Sequence, residues 1–316
     1  MIKKNIPKSF NNFMKPIEAN NFLEKMEKPN VLRVIKEEHT RILENLDSKN
    51  QRNIGYEEKE IPTKSFFCGL WNCFPTTSTA DVDDTSINND QYYYINGFEN
   101  EKKFLCCVNP NEQTIDSFLK TVWDKKIQII VTFSTSLFDT TYFAYWRFRK
   151  NYEAKYNEFK IETINIDVKF LYALTTLRIT YRNILVREVL HFCYFSWPEN
   201  NLNCNIGSFI KFMLEVNLVN KNIFALKSVN KNYKHSPVLI HCNDGFNRSA
   251  AFCLLDISIS IFEKFKIVCL PRIVKQFQKQ RKDCLNNKNI YIFCHYVLYE
   301  YISNNKLFNK VNVVCN

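Results

Sequence analysis

The stretch VLIHCNDGFNRSAAFCLLDI, which begins at Val238, limits the possible folds more than any other part of the chain. A run of apolar residues too short for a helix ends in His241 and Cys242. A polar loop holding Gly245, one of only five glycines, follows, and a second apolar run opens near Arg248 and continues to about Phe265. Strand, tight loop and helix in that order make the repeating unit of a layered α/β fold. The spacing predicts a buried strand, a loop that carries chemistry, and a long helix.

The residues of that loop define what it can bind. Backbone N–H groups from Asn243, Asp244, Gly245, Phe246 and Asn247, together with the first turn of the helix, can converge on one point, where their dipoles favour an anion. Arg248 can grip two oxygens of a phosphate with its planar fork. The same field is expected to lower the pKa of Cys242 and make a thiolate available as nucleophile. Ser249 can hydrogen-bond that thiolate and help it leave in a second step, and His241 can brace the loop backbone from behind. The Cys-x5-Arg spacing alone is weak evidence, because the chain contains 12 cysteines. The flanking His, Gly and Ser and the strand-to-helix context strengthen it, and they call for a partner acid.

The rest of the chain is compatible with a compact enzyme. Hydrophobic residues make up 46% and aromatics 15%, which excludes a disordered chain. The net charge of +11 is spread along the sequence without a basic block, so it favours acidic substrates in general and argues against nucleic acid as the partner. Cysteines without metal-ligand spacing or a signal peptide point to free thiols in a reducing, cytoplasmic setting. The longest apolar runs are too short and too interrupted for membrane insertion.

Residues 1–30 read as a partly disordered lead-in, and residues 31–316 as one domain, since no internal repeat is visible. In VLRVIKEEHTRILENL the residues Val31, Val34, Ile35, Ile42 and Leu43 space like a helix face. A polar loop is expected over 74–91. Strands are expected in YYYINGF, KFLCCV, IQIIVTF, LYALTTLRITY, REVLHFCYF and SPVLIH. Helices are expected at Phe118–Trp123 and from about Ser208.

The partner acid appears in REVLHFCYFSWPENN. There the chain resembles the tyrosine-specific protein phosphatase domain, whose acid-bearing loop reads Trp-Pro-Asp after a strand of the form REVxHFxYxxW. Trp197 and Pro198 match, and Glu199 stands at the acid's place. YYYINGF is similar to the family's DYINAS-type segment, and TIDSFLKTVWDKKIQIIVTF to its TxxDFWxMVWE…IVMLT helix and strand. VLIHC…RSAAFCLLDI resembles IVVHCSAGxGRTGTFCLLDI. The resemblance spans roughly residues 30–303. It implies a single α/β domain with a highly twisted mixed central β-sheet and helices on both faces. It also implies that Cys242 attacks phosphorus, that Arg248 and the loop amides stabilise the transition state, and that Glu199 protonates the departing phenol oxygen and later activates water. Neither metal nor cofactor is required.

Several positions depart from the family pattern. Glu199 is one methylene longer than Asp and moves the carboxyl by about 1.5 Å, and a misplacement near 1 Å can cost about a hundredfold. Asn247 replaces a cradle glycine, and Asn tolerates positive φ better than other residues. Asp244 stands where the family usually has Ala. Unless it points outward into solvent, a like charge about 6 Å from bound phosphate costs on the order of 3 kcal/mol. The water-positioning glutamines fall at Asn286 and Ile290, and Ile290 cannot hold a water. In the adjoining segment Arg281 is kept and Gln278 replaces an arginine. Tyr56 matches the family's phosphotyrosine clamp only with a shifted register, and KFLCCVNPN keeps only Pro110 of the usual QGP.

Divergent single-domain members of this kind look most like the phosphatases of parasitoid-wasp bracoviruses. The implied role is dephosphorylation of tyrosine-phosphorylated proteins in the host-cell cytoplasm, by a monomer of weakened activity that suppresses host immunity. The alternatives are a catalytically dead pseudophosphatase that binds and shields phosphotyrosine proteins, and an RNA 5′-phosphatase.

Overall fold

The computed structural model describes residues 15–50, 92–134, 143–197, 205–229 and 235–314. The chain folds into two compact units: Asp81–Cys253 forms one, and the chain up to residue 80 with Leu254–Asn316 forms the other.

The first unit is built on an eight-stranded mixed sheet in the order β2-β3-β9-β4-β8-β7-β6-β5. Its strands are β2 (Tyr92–Ile95), β3 (Phe104–Val108), β4 (Ile129–Phe133), β5 (Glu153–Tyr156), β6 (Phe159–Val168), β7 (Tyr172–Tyr181), β8 (Leu185–Tyr194) and β9 (Val238–Cys242). The four adjacent strands β3, β9, β4 and β8 run parallel, and the remaining pairs are antiparallel. β4 and β9 are buried at every position, as parallel strands covered on both faces must be.

Side-chain alternation sorts these strands onto two faces. Leu105, Cys107, Ile130, Val189, Cys193 and Leu239 meet α3 (Ile115–Asp124), which buries Ile115, Phe118, Leu119 and Val122 against them. The opposite face carries Phe104, Phe133, Phe192 and Tyr194. There α4 (Ile206–Lys227) inserts Phe209 and Phe212, and Phe252 joins the same aromatic layer. Asn205 caps α4 by accepting the Ser208 N–H at 2.9 Å. The hairpin β5–β6 was not predicted, although Phe159, Ile161 and Thr163 alternate with more exposed positions as a half-buried strand requires.

The second unit contains α1 (Ala19–Met26), α2 (Val31–Asn50), α6 (Leu270–Gln280), α7 (Lys288–Val314) and the two-stranded pair β1 (Ile17–Glu18) and β10 (Ile267–Val268). The helix α5 (Arg248–Phe265) begins in the first unit and ends in the second. The boundary expected at residue 30 does not follow this division. β1 pairs with β10, and α1 buries Phe22, Leu23 and Met26 beside α7. The Lys- and Asn-rich composition of this segment obscured its helical spacing. On α2, Val31, Ile35 and Ile42 are buried as expected, and Glu38 and His39 are buried with them. The loop expected over 74–91 lies outside the described residues. No described helix is long and apolar enough to cross a membrane.

Candidate active site

Cys242 is the last residue of β9 and Arg248 the first of α5, so the loop between them stands at the carboxyl end of a central parallel strand. Crevices at that edge are where open α/β sheets bind ligands. Gly245 sits at φ +76°, and a Cβ there would lie 2.7 Å from the Val108 nitrogen and 2.8 Å from the Cys107 carbonyl carbon. Glycine is therefore required both by the turn and by the backbone of β3 beside it. The Gly245 N–H donates to the Cys242 carbonyl at 3.2 Å, the Tyr93 hydroxyl donates to the Gly245 carbonyl at 2.8 Å, and the Asn109 N–H donates to the Cys242 carbonyl at 2.9 Å.

The thiol of Cys242 is fully buried. The Ser249 hydroxyl donates to its sulfur at 3.0 Å, the contact the sequence assigns to that serine. The Asp244 carboxylate points into the loop and not out to solvent. Its Oδ1 accepts the N–H groups of Phe246 and Asn247, each at 3.0 Å, and the Cys242 S–H at 3.2 Å, while its Oδ2 accepts from the Asn247 amide at 2.8 Å. Burial opposes the charge on Asp244. The donors from Asn247 and Phe246 outweigh it and hold the carboxyl below its usual range, so Asp244 is ionised.

The expected lowering of the Cys242 pKa is reversed. Burial, then the negative charge of Asp244, pushes the thiol up to about 12, against the opposing hydrogen bond from Ser249. At neutral pH the sulfur in this arrangement is a thiol that donates to its neighbour. Burial is the first cause; the Asp244 carboxylate adds its charge and takes the Phe246 and Asn247 N–H groups, while the Ser249 hydroxyl and N–H still face the sulfur. Asn247 is also not among the described residues with positive φ, so its place does not depend on left-handed backbone. Its side chain instead holds Asp244.

His241 does not brace the loop backbone directly. Alternation along β9 puts it on the sheet face opposite Cys242, against Phe118 and Tyr145. Its Nδ1 lies 2.5 Å from the Asn109 Oδ1, which only accepts, so Nδ1 carries the proton and Nε2 accepts from the Tyr145 hydroxyl at 3.0 Å. The Thr132 hydroxyl lies 3.2 Å from the same Nδ1. Burial depresses the His241 pKa to about 3 and keeps the ring neutral. Asn109 passes the connection on by donating to the Asn243 side chain at 2.7 Å. Tyr145, Thr132 and Asn109 were missed in the sequence, where Thr132 is the one polar residue between Ile127 and Phe133 besides Gln128.

Tyr145→Phe would keep the ring packing but leave Nε2 of a buried histidine without a donor. The expected loss is about 1–2 kcal/mol by urea denaturation. A change below about 0.5 kcal/mol would show that this nitrogen does not depend on the tyrosine.

Trp197 is buried among Phe133 and Phe209, and its backbone N–H donates to the Ser134 carbonyl at 3.2 Å. Pro198, Glu199 and Tyr56 lie outside the described residues. Arg248 is half-buried at the head of α5. Asn286, Ile290, Gln278 and Arg281 belong to the second unit. There Ile290 is buried on α7, and Gln278 is buried and donates to the Cys284 carbonyl at 3.1 Å.

A strand-end cysteine under a serine, a glycine-dependent loop and an arginine-headed helix agree with the family comparison. The model of the protein-tyrosine phosphatase family matches residues 81–300. The chain belongs to the protein-tyrosine phosphatase family. Among similar proteins is a probable tyrosine phosphatase protein, J4, of Microplitis demolitor bracovirus (isolate Webb), 31% identical over 293 residues that cover 93% of this chain and 94% of that one. The tyrosine phosphatase-like protein J1 of the same virus is 28% identical over 282 residues, 87% of this chain and 92% of its own. The resemblance to bracovirus phosphatases expected from the sequence therefore holds over most of the chain, and the chain is a protein tyrosine phosphatase by family.

Among solved structures, the catalytic domain of human protein tyrosine phosphatase non-receptor type 18 shares the fold. Its TM-score is 0.56 at 18% identity, over 67% of this chain and 73% of that one. This agrees with the α/β architecture of the phosphatase fold, with a mixed central sheet carrying helices on both faces.

Proposed function

We propose that this phosphatase dephosphorylates phosphotyrosine in proteins through a cysteinyl-phosphate intermediate, with weakened activity. The observation that carries the reading is Cys242 at the end of β9 with the Ser249 hydroxyl 3.0 Å from its sulfur and Arg248 opening the next helix. The Cys242 sulfur, once deprotonated, attacks phosphorus in line as the bond to the phenol oxygen breaks. Glu199 delivers a proton to that oxygen, since a phenolate leaves reluctantly, and Arg248 holds the equatorial oxygens. Water activated by the Glu199 carboxylate then cleaves the sulfur–phosphorus bond and releases phosphate, while Ser249 stabilises the departing thiolate.

The substrates in this reading are tyrosine-phosphorylated signalling proteins in the cytoplasm of a host cell, and their dephosphorylation suppresses host immunity. The protein works as a monomer. What supports the host setting is the likeness to bracovirus phosphatases over most of the chain.

A second reading, a pseudophosphatase that binds and shields phosphotyrosine proteins, is favoured by the protonated thiol donating to Asp244. Phosphate release from phosphotyrosyl peptides separates the two. The wild type is expected to exceed Cys242→Ser clearly, and equal release by both, with the peptide still bound, would leave only the shielding role. Triphosphorylated RNA in the same assay tests the RNA 5′-phosphatase alternative.

A further inference from the structure

We propose that Asp244 is a tethered competitor for its own active site: its carboxylate occupies the anion cradle, and a substrate's phosphoryl group binds only by displacing it. This rests on reading the Cys242–Arg248 loop as the phosphate cradle. The geometry makes the occupancy specific. Two loop N–H groups, the Asn247 side-chain amide and the Cys242 S–H all converge on the one carboxylate, and both of its oxygens are engaged. Donors turned to Asp244 cannot also serve a phosphoryl oxygen. A dianion cannot share the space, because two like charges in a half-buried loop repel strongly.

Asn247 is the second part of the device. Its backbone N–H supplies one donor, and its side chain supplies another that a glycine at this place would lack. The departures at 244 and 247 therefore act together, one as occupant and the other as latch. The loop exists in a self-ligated state, with the sulfur protonated, and in an open state that accepts an anion. Apparent affinity for any oxyanion is reduced by the fraction of loop that is open. A residue tethered two positions from the nucleophile competes at high effective concentration, so the self-ligated state predominates; an open fraction of about one in a hundred weakens apparent affinity about a hundredfold.

Tungstate, an oxyanion that is not hydrolysed, tests this by calorimetric titration of the full chain. Asp244→Ala is expected to lower the tungstate Kd about a hundredfold, and Asn247→Gly about tenfold. Alkylation of Cys242 by the neutral reagent iodoacetamide, read by peptide mass mapping, should accelerate in Asp244→Ala by at least about tenfold, because the sulfur loses its acceptor and the nearby charge. A Kd in Asp244→Ala within about twofold of wild type, from a protein that melts cooperatively, would overturn the proposal. If Asp244→Ala does not melt cooperatively, an unchanged Kd in Asn247→Gly overturns it instead.

Phosphate release distinguishes this outcome from the fate of the enzymatic reading. Tight tungstate binding by Asp244→Ala without any phosphate release from phosphotyrosyl peptides would support the competitor and remove the enzymatic activity. Ready hydrolysis by wild type with an unaffected Kd would do the reverse.

Discussion

Gly245→Ala is expected to cost about 3 kcal/mol of stability and to reduce phosphate release by at least about a hundredfold. Two separate penalties combine. At φ +76° an L-residue pays about 1–2 kcal/mol for the left-handed conformation. The new methyl carbon would also lie 2.7–2.9 Å from the Val108 nitrogen, the Cys107 carbonyl carbon and the Val108 Cγ2, well inside van der Waals contact. Two of those atoms are backbone of β3, which is hydrogen-bonded between β2 and β9 and cannot yield. The loop must therefore move, and it carries Cys242 at one end and Arg248 at the other. A shift near 1 Å is enough for the loss in rate. Urea denaturation and the peptide assay measure the two effects, and a variant as stable as wild type would contradict the geometry of this turn.

Glu38→Gln is expected to destabilise the protein by about 3 kcal/mol at pH 7, and the difference from wild type should shrink as the pH is lowered. In the helical unit the Glu38 carboxylate accepts from the Tyr291 hydroxyl at 2.6 Å and pairs with Lys25 at 2.8 Å and His295 at 3.2 Å. Burial raises its pKa. His295 and Lys25 together overcome that effect and hold it at about 2, against 4.5 for the free group. Above pH 4.5 the carboxylate is ionised folded or unfolded, and its contribution is complete. Between pH 4.5 and 2 the unfolded chain takes up the proton first, so the contribution falls through that window and is gone below about 2. Denaturation curves at pH 7, 4.5 and 3 should converge for the two proteins. Parallel loss in both would show that Glu38 is not the group being titrated.

Much of the fold was legible because periodicity reports burial. The short run IQIIVTF reads as a strand buried on both faces, as Ile129–Phe133 is, and LYALTTLRITY alternates as a half-buried strand does. The β5–β6 hairpin escaped because β5 has only four residues and none of them buried, and the register of β6 shifts between Thr163 and Asn165, which breaks its alternation. α1 escaped because its Lys- and Asn-rich neighbours resemble a disordered lead-in, and only the pairing of β1 with β10 and the burial beside α7 reveal its place.

At the site, Cys242, Arg248, Ser249 and Trp197 were readable from local order, and the structure brings Ser249 onto the Cys242 sulfur. Tyr145, Thr132 and Asn109 were not, because they reach His241 from 96, 109 and 132 positions away in the chain. Hydrogen bonds across such separations leave no periodic trace in a single sequence.

The sequence by itself determined the chemistry available to this protein: a strand-end thiol, an arginine at a helix start, and a loop whose amides favour an anion. It also determined that an acidic residue, Asp244, lies within that loop. Only the tertiary structure decided what the loop amides bind. Local spacing places residues along the chain, but the direction of a carboxylate depends on which donors remain unpaired after the strand, the turn and the helix have taken theirs. Here Phe246, Asn247 and Cys242 each direct a donor to Asp244, and that convergence keeps the carboxylate ionised, while burial, then the Asp244 charge, keeps the thiol protonated.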